Sequence, residues 1–222
     1  MWRYIIDNIY SKNPSYAQNG EGIDIESCKN VLIINCKFEA GNDGIYIKSG
    51  KDEDGRKRNK ICENIIIDSC TVFNSYAGFV IGSEMSGGVK NIKVNNCKFI
   101  GSDMGLRFKS KRGRGGIVEN IFINGIYMID IKTNAIIFDM FYRDNNIKNN
   151  FIIFNENIPI FRNFYFENIV CNCNGNAIVF NGLPEMPIQS INLKNIQIIA
   201  SGNPIFNNVK NLIQENVNII LN

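Results

Sequence analysis

The sequence has no histidine at all, and only one tryptophan and five prolines in 222 residues. Without imidazole there is no side chain whose ordinary pKa lies near neutrality, and no histidine-based metal centre can form. The seven cysteines are odd in number and none stands in Cys-x-x-Cys spacing, so neither a complete disulfide framework nor a zinc site is indicated. No metal and no cofactor are expected. No run approaches the roughly 18 uninterrupted apolar residues of a membrane helix, so no membrane association is expected. The first ten residues lack the basic start and apolar core of a signal peptide, which leaves the compartment open. Charge of one sign is also missing. Twenty-four basic residues face 21 acidic ones, a net +3 that does not suggest a nucleic-acid partner. The one basic run, Lys109-Ser-Lys-Arg-Gly-Arg114, has no interleaved aromatics, which argues against nucleic acid again.

What the sequence does have is a period. Asn30-Val-Leu-Ile-Ile-Asn-Cys36, Asn64-Ile-Ile-Ile-Asp-Ser-Cys70 and Asn91-Ile-Lys-Val-Asn-Asn-Cys97 share one pattern. Segments starting at Asn120, Asn163, Ser190 and Asn211 continue it with an aliphatic residue in the cysteine position. The steps between starts are 34, 27, 29, 43, 27 and 21 residues, which suits one solenoid coil per repeat. Apolar residues alternate within each unit, so the units read as strands. A strand that short buries its inward face only when like strands stack on it, which gives a continuous core and ladders of identical side chains. A second strand family lies between the first: Gly44-Ile-Tyr-Ile-Lys-Ser49, Gly78-Phe-Val-Ile-Gly-Ser83, Gly105-Leu-Arg-Phe-Lys-Ser110, and the runs that begin at Ala135 and Ala177. The leading glycine is read as permitting a sharp bend before the strand. The outward polar residues of these strands should line one surface, which is where chemistry is expected. Lys51 to Lys60 reads as a charged loop, and the asparagine-rich stretch from Arg143 to Pro159 as a loop or lid. One domain over residues 1–222 is indicated, an all-β, right-handed, single-stranded parallel β-helix.

The motifs Asn19-Gly-Glu-Gly-Ile-Asp24, Gly41-Asn-Asp43, Gly78-Phe-Val-Ile-Gly-Ser-Glu-Met85, Arg107-Phe-Lys109 and Gly182-Leu-Pro-Glu-Met-Pro187 resemble, in order and approximate spacing, those of glycoside hydrolase family 28, the polygalacturonases. The resemblance implies a pectin-lyase-like solenoid that hydrolyses α-1,4 bonds between galacturonates with inversion, using three aspartates and no metal. It also implies an acidic polysaccharide or oligogalacturonide as partner. The family's Asn-Thr-Asp-Gly motif falls on Asn19 to Gly22 and puts its aspartate at Glu21. Gly-Asp-Asp falls on Gly41, Asn42 and Asp43, so the position the family assigns to the general acid holds an amide. Gly-His-Gly falls on Ser75, Tyr76 and Ala77. Arg-Ile-Lys, the carboxylate grip, survives as Arg107 and Lys109. The resemblance therefore marks Glu21, Asn42 and Asp43 as the catalytic positions. Arg107, Lys109, Tyr76 and Lys48 are marked as substrate-binding.

Inverting hydrolysis needs a protonated carboxyl beside the leaving oxygen and a carboxylate that activates water on the opposite face. Asn42 has no proton to give, so a hydrolase of impaired activity is expected, or a non-catalytic acidic-sugar binder, or a structural β-helix. Base rates alone would make Asp43 a turn carboxylate, Arg107 and Lys109 a solvated face, and Tyr76 and Tyr142 packing residues. Cys36, Cys70 and Cys97 occupy an apolar slot and are read as core thiols rather than ligands. Cys171 and Cys173 are two apart on one strand face and are assigned no function. The chain opens directly in a strand-like run, whereas family members are longer at this end. Missing coils and self-association through an uncapped first coil are expected from this, and a heat-stable, monodisperse monomer in scattering would contradict the association.

Overall fold

The structure, a computed structural model, describes residues 3–143 and 156–222. It is almost entirely parallel β-sheet wound into a right-handed coil, the hand that parallel crossover connections take. A typical coil carries three strands. In the second coil these are Lys29–Ile34, Lys37–Glu39 and Ile45–Lys48; in the third they are Cys62–Asp68, Thr71–Phe73 and Ala77–Ile81. From the fifth coil onward the first two strands fuse into long ones, Ile117–Ile131, Ile160–Cys173, Ile188–Ala200 and Val209–Leu221. The fused strands draw two faces of the solenoid into one 12-stranded sheet. The remaining face is a separate 7-stranded sheet running from Ile23–Glu26 through Met104–Lys109 to Ile205–Asn207. The expected β-helix is what the chain forms.

Every periodic position has a physical reason. Asn30, Asn64, Asn91, Asn120 and Asn163 adopt left-handed backbone with φ between 58 and 60°, except Asn91 at 56°. Asparagine tolerates that region better than other side chains bearing a Cβ. Their amides then form a ladder between coils: Asn64 donates to Asn30 at 3.0 Å, Asn91 to Asn64 at 3.1 Å, Asn120 to Asn91 at 3.1 Å and Asn163 to Asn120 at 3.2 Å. Cys36, Cys70 and Cys97 are buried and free, and Ile126, Ile169 and Ile196 fill the same slot in later coils. Cys171 and Cys173 are likewise buried free thiols.

Aromatic residues take over the interior in the middle coils. Phe138 stacks on Phe108 at 4.5 Å and meets Phe164 and Phe180 edge-on at 4.8 and 4.9 Å. Such pairs are worth about 0.5–1.5 kcal/mol each beyond area burial. Because Phe108 points inward, its neighbours Arg107 and Lys109 point outward, so the core packing itself aims the two cations at the surface.

Two readings of the sequence are corrected. Gly78 and Gly105 lie inside strands rather than at a bend before them, and Gly44, which does stand at the bend before Ile45–Lys48, has no positive φ, nor do the other two. They stand where a Cβ would collide with the next coil, at 2.3 Å from Val72 Cγ1, 2.4 Å from the Phe99 ring and 2.2 Å from Met128 Sδ. The charged segment after Lys51 is not a loop throughout, because Asp52–Arg58 forms a helix, α1. Its first turn holds Asp52, Glu53 and Asp54 and its last turn Arg56, Lys57 and Arg58, the arrangement that complements the helix dipole. Asn59, in left-handed conformation at φ 48°, ends it. The asparagine-rich interruption falls mostly on residues 144–155, outside the described residues. No described helix is long and apolar enough to cross a membrane.

Candidate active site

The outer face of the 7-stranded sheet is the floor of a cleft of ≈ 830 Å³. In-register pairing sets Tyr46, Val80, Arg107 and Ile137 side by side in one row across the coils. A second row, two residues further along the strands, brings Lys109 beside Asp139. All seven residues singled out in the sequence, Glu21, Asn42, Asp43, Lys48, Tyr76, Arg107 and Lys109, line this one cleft.

Asp43 is 2% exposed and its Oδ2 accepts from Lys109 Nζ at 3.1 Å. Its Oδ1 is buried and has no hydrogen-bond partner among the described residues. Burial pushes the Lys109 ammonium below the ordinary lysine pKa against the pull of Asp43, and the charge of Arg107 adds to the depression. Asn42 Nδ2 donates to Glu21 Oε1 at 3.2 Å, so the amide caps the one carboxylate beside it.

Arg107 is 6% exposed, yet no carboxylate holds it among the described residues. Its guanidinium lies between two phenol rings instead, 4.9 Å from the centre of Tyr76 and 5.2 Å from that of Tyr142. Lys109 repeats the arrangement between Tyr46 and Tyr142, at 4.9 and 5.0 Å. These faces stabilise cations without neutralising them; Lys109 is neutralised by Asp43 in addition, whereas the charge of Arg107 is left free to meet an anion. Lys48 differs. It belongs to the same sheet, sits 4.2 Å from the Tyr46 ring, and is held by Asp24 at 2.6 Å. Burial works against its ammonium, but the Asp24 carboxylate outweighs burial and raises its pKa. Lys48 is thus already paired, whereas Arg107 is not.

Of the polar groups in or beside the cleft that were not singled out from the sequence, Tyr46 and Asp139 have shifted pKa values. Tyr46 sits in the cleft floor, where burial and then the nearby Asp43 charge push its phenol well above its ordinary pKa and keep it neutral. Its signal was its place in Gly44-Ile-Tyr-Ile-Lys48, two residues before an outward lysine. Asp139, next to Lys109 across the coil, has its pKa raised by burial, even though the Phe141 N–H and the charges of Arg107 and Lys109 all favour the anion. No group of three or more His, Cys, Asp or Glu that could hold a metal occurs among the described residues.

The sequence profile of glycosyl hydrolases family 28 matches residues 3–217, nearly the whole chain. The chain belongs to that family. A probable polygalacturonase of Vitis vinifera is 29% identical over 197 residues, covering 87% of this chain and 39% of the relative. An endo-polygalacturonase of Pectobacterium carotovorum subsp. carotovorum is 27% identical over 189 residues, covering 85% and 42%. The crystal structure of a hyperthermoactive exopolygalacturonase from Thermotoga maritima superposes with a TM-score of 0.79 at 32% identity, over 95% of this chain and 47% of that one. The chain thus spans less than half the length of these family 28 proteins. Its cleft has a cationic floor, and beside it the amide of Asn42 donates to the Glu21 carboxylate.

Proposed function

We propose that this family 28 scaffold binds a galacturonate-containing polysaccharide in the cleft and that its power to hydrolyse the glycosidic bond is strongly reduced. Arg107 carries the proposal. A guanidinium so nearly buried, with no carboxylate partner among the described residues, is costly unless an anion completes it, and a planar fork suits a sugar carboxylate. The Tyr76 and Tyr142 rings both lie close to it and offer ring faces beside it. Glu21 and Asp43 remain able to orient a water molecule. Proton donation to the leaving oxygen is weakened, because Asn42 is an amide, Asp43 is engaged by Lys109, Glu21 accepts from Asn42, and Asp139, whose pKa burial raises, is not among the residues that line the cleft. Losing a general acid costs about 10²- to 10⁴-fold in rate.

Calorimetric titration with oligogalacturonate, run beside an assay of reducing ends, tests this reading. Saturable binding that disappears in Arg107→Ala, with turnover at or near background, is the expected result. Turnover at rates usual for glycosidases defeats the impairment. Absence of both binding and turnover leaves a structural β-helix.

A further inference from the structure

None of the seven free thiols lines the cleft, and they are not equally placed. Cys28 is partly exposed, whereas the other six are buried. Cys28 directly precedes the strand Lys29–Ile34, and Cys62 opens the strand Cys62–Asp68 of the following coil. These strands are parallel with Lys29 opposite Glu63, which sets Cys28 opposite Cys62. The backbone agrees, since the Cys28 carbonyl accepts from the Glu63 N–H at 2.9 Å. Both side chains pack on the same core, and both sulfurs meet the same stretch of chain. Cys28 Sγ donates to the Glu26 carbonyl at 3.3 Å and Cys62 Sγ to the Ile25 carbonyl at 3.8 Å.

Paired residues on neighbouring strands lie about 4.8 Å apart, inside the roughly 4.4–6.8 Å between Cα atoms that a disulfide spans. The residue opposite Cys62 in the next coil is Val89, so this row holds one pair of thiols and no third. The row of Cys36, Cys70 and Cys97 has the same spacing but no exposed member through which a reagent could enter.

We propose that Cys28 and Cys62 form a dithiol–disulfide site, which a small-molecule disulfide oxidises to a bond stapling the second coil to the third. The proposal stands apart from the uronate reading of the cleft. Its chemistry is two exchanges. The Cys28 thiolate attacks one sulfur of glutathione disulfide, forming a mixed disulfide and expelling one glutathione thiolate. The Cys62 thiolate then attacks the Cys28 sulfur, forming the protein disulfide and expelling the second glutathione thiolate. The two protons lost by the protein end on the two glutathiones, so two cysteines are oxidised as one glutathione disulfide is reduced. Burial pushes the Cys62 thiol up to about 12, which makes the second exchange the slow one near neutrality. The bond closes residues 28–62 into a loop that carries Asn42, Asp43, Lys48 and α1. Closure restrains the unfolded chain more than the folded one, so oxidation stabilises coils that build the cleft.

Incubating the full chain with glutathione disulfide at about pH 8.5, near the ordinary thiol pKa, and mapping its peptides by mass spectrometry tests the site. The expected product joins the peptides bearing Cys28 and Cys62 with loss of two hydrogens. It is expected to melt roughly 5–10 °C above the reduced chain and to revert with dithiothreitol. Cys62→Ala is expected to stop with glutathione on Cys28, and Cys28→Ser to take up none. A wild-type chain that keeps glutathione on Cys28 while Cys62 stays free overturns the proposal. So does one in which Cys28 is left unmodified or is joined to any other cysteine. Each of these results is read on the wild-type chain, so a variant that fails to fold leaves the test intact.

Discussion

Replacing Asn42 by aspartate and shortening Glu21 to aspartate in the same chain is expected to raise the release of reducing ends from polygalacturonate by about 100-fold or more. The argument is geometric as well as chemical. Asn→Asp changes one terminal atom, so the coil that carries position 42 keeps its packing. The amide now donates to Glu21 Oε1 at 3.2 Å, and a carboxyl in its place would put two acids within hydrogen-bonding distance. Two carboxylates that close cannot both ionise, so one proton is retained between them at higher pH than either would hold alone. A retained proton is what the leaving oxygen needs. Shortening Glu21 draws its carboxyl back by one methylene, which lengthens that contact while keeping the two like charges close enough to favour one retained proton, and it opens room for water; a misplacement of about 1 Å is worth roughly 100-fold in such a site.

The single variants separate the two effects. Asn42→Asp alone is expected to restore part of the rate with a strong dependence on pH, and Glu21→Asp alone almost nothing. If the unaltered chain already turns over at a rate comparable with the double variant, Glu21 or Asp43 supplies the proton and the acid position has been misassigned. If the double variant is as inactive as the parent, the deficit lies elsewhere, with Tyr76 in place of an imidazole the first position to change.

The solenoid was legible because its register is written in identical residues. Asparagine returns at positions whose backbone is left-handed in every coil, and an apolar residue returns six places later to fill one slot of the core. The cleft floor was legible for the same reason, since Arg107 and Lys109 flank an inward phenylalanine in an alternating strand. Interactions without a period were hidden. Strands of three residues such as Lys37–Glu39 and Thr71–Phe73 are too short to display alternation. A seven-residue helix has no apolar stripe, and α1 announced itself only through Glu53–Lys57 and Asp54–Arg58 pairs at helical spacing. Arg112 meets Glu185 across 73 positions and Arg114 meets Asp52 across 62, distances at which a sequence offers no pairing rule. The role of Gly78 and Gly105 was misread because a glycine looks the same in sequence whether it supplies a bend or merely space.

Lys109→Met is expected to destabilise the chain by about 3–5 kcal/mol, while Asp43→Asn with Lys109→Met together is expected to cost much less. Asp43 is almost fully buried, one of its oxygens already lacks a partner, and the other is held by Lys109 at 3.1 Å. Removing the ammonium leaves an uncompensated charge in a site ringed by Tyr46 and Tyr142, whereas removing both charges leaves a neutral amide beside an apolar chain of similar reach. Denaturant melts of the four proteins give the coupling directly as a double-mutant cycle.

The pH dependence supplies a second signature. Burial depresses the Lys109 pKa below its ordinary value of 10.5, so the folded state disfavours the charged form relative to the unfolded chain. That cost is present in full below the folded pKa and is relieved as pH climbs from there to the ordinary value, so this residue makes stability rise with pH through the alkaline window. The rise is expected to vanish in Lys109→Met. A single variant as stable as wild type, or a double variant less stable than the single, would mean that Asp43 is compensated by something other than Lys109. The pair would then be incidental to the stability of the cleft floor.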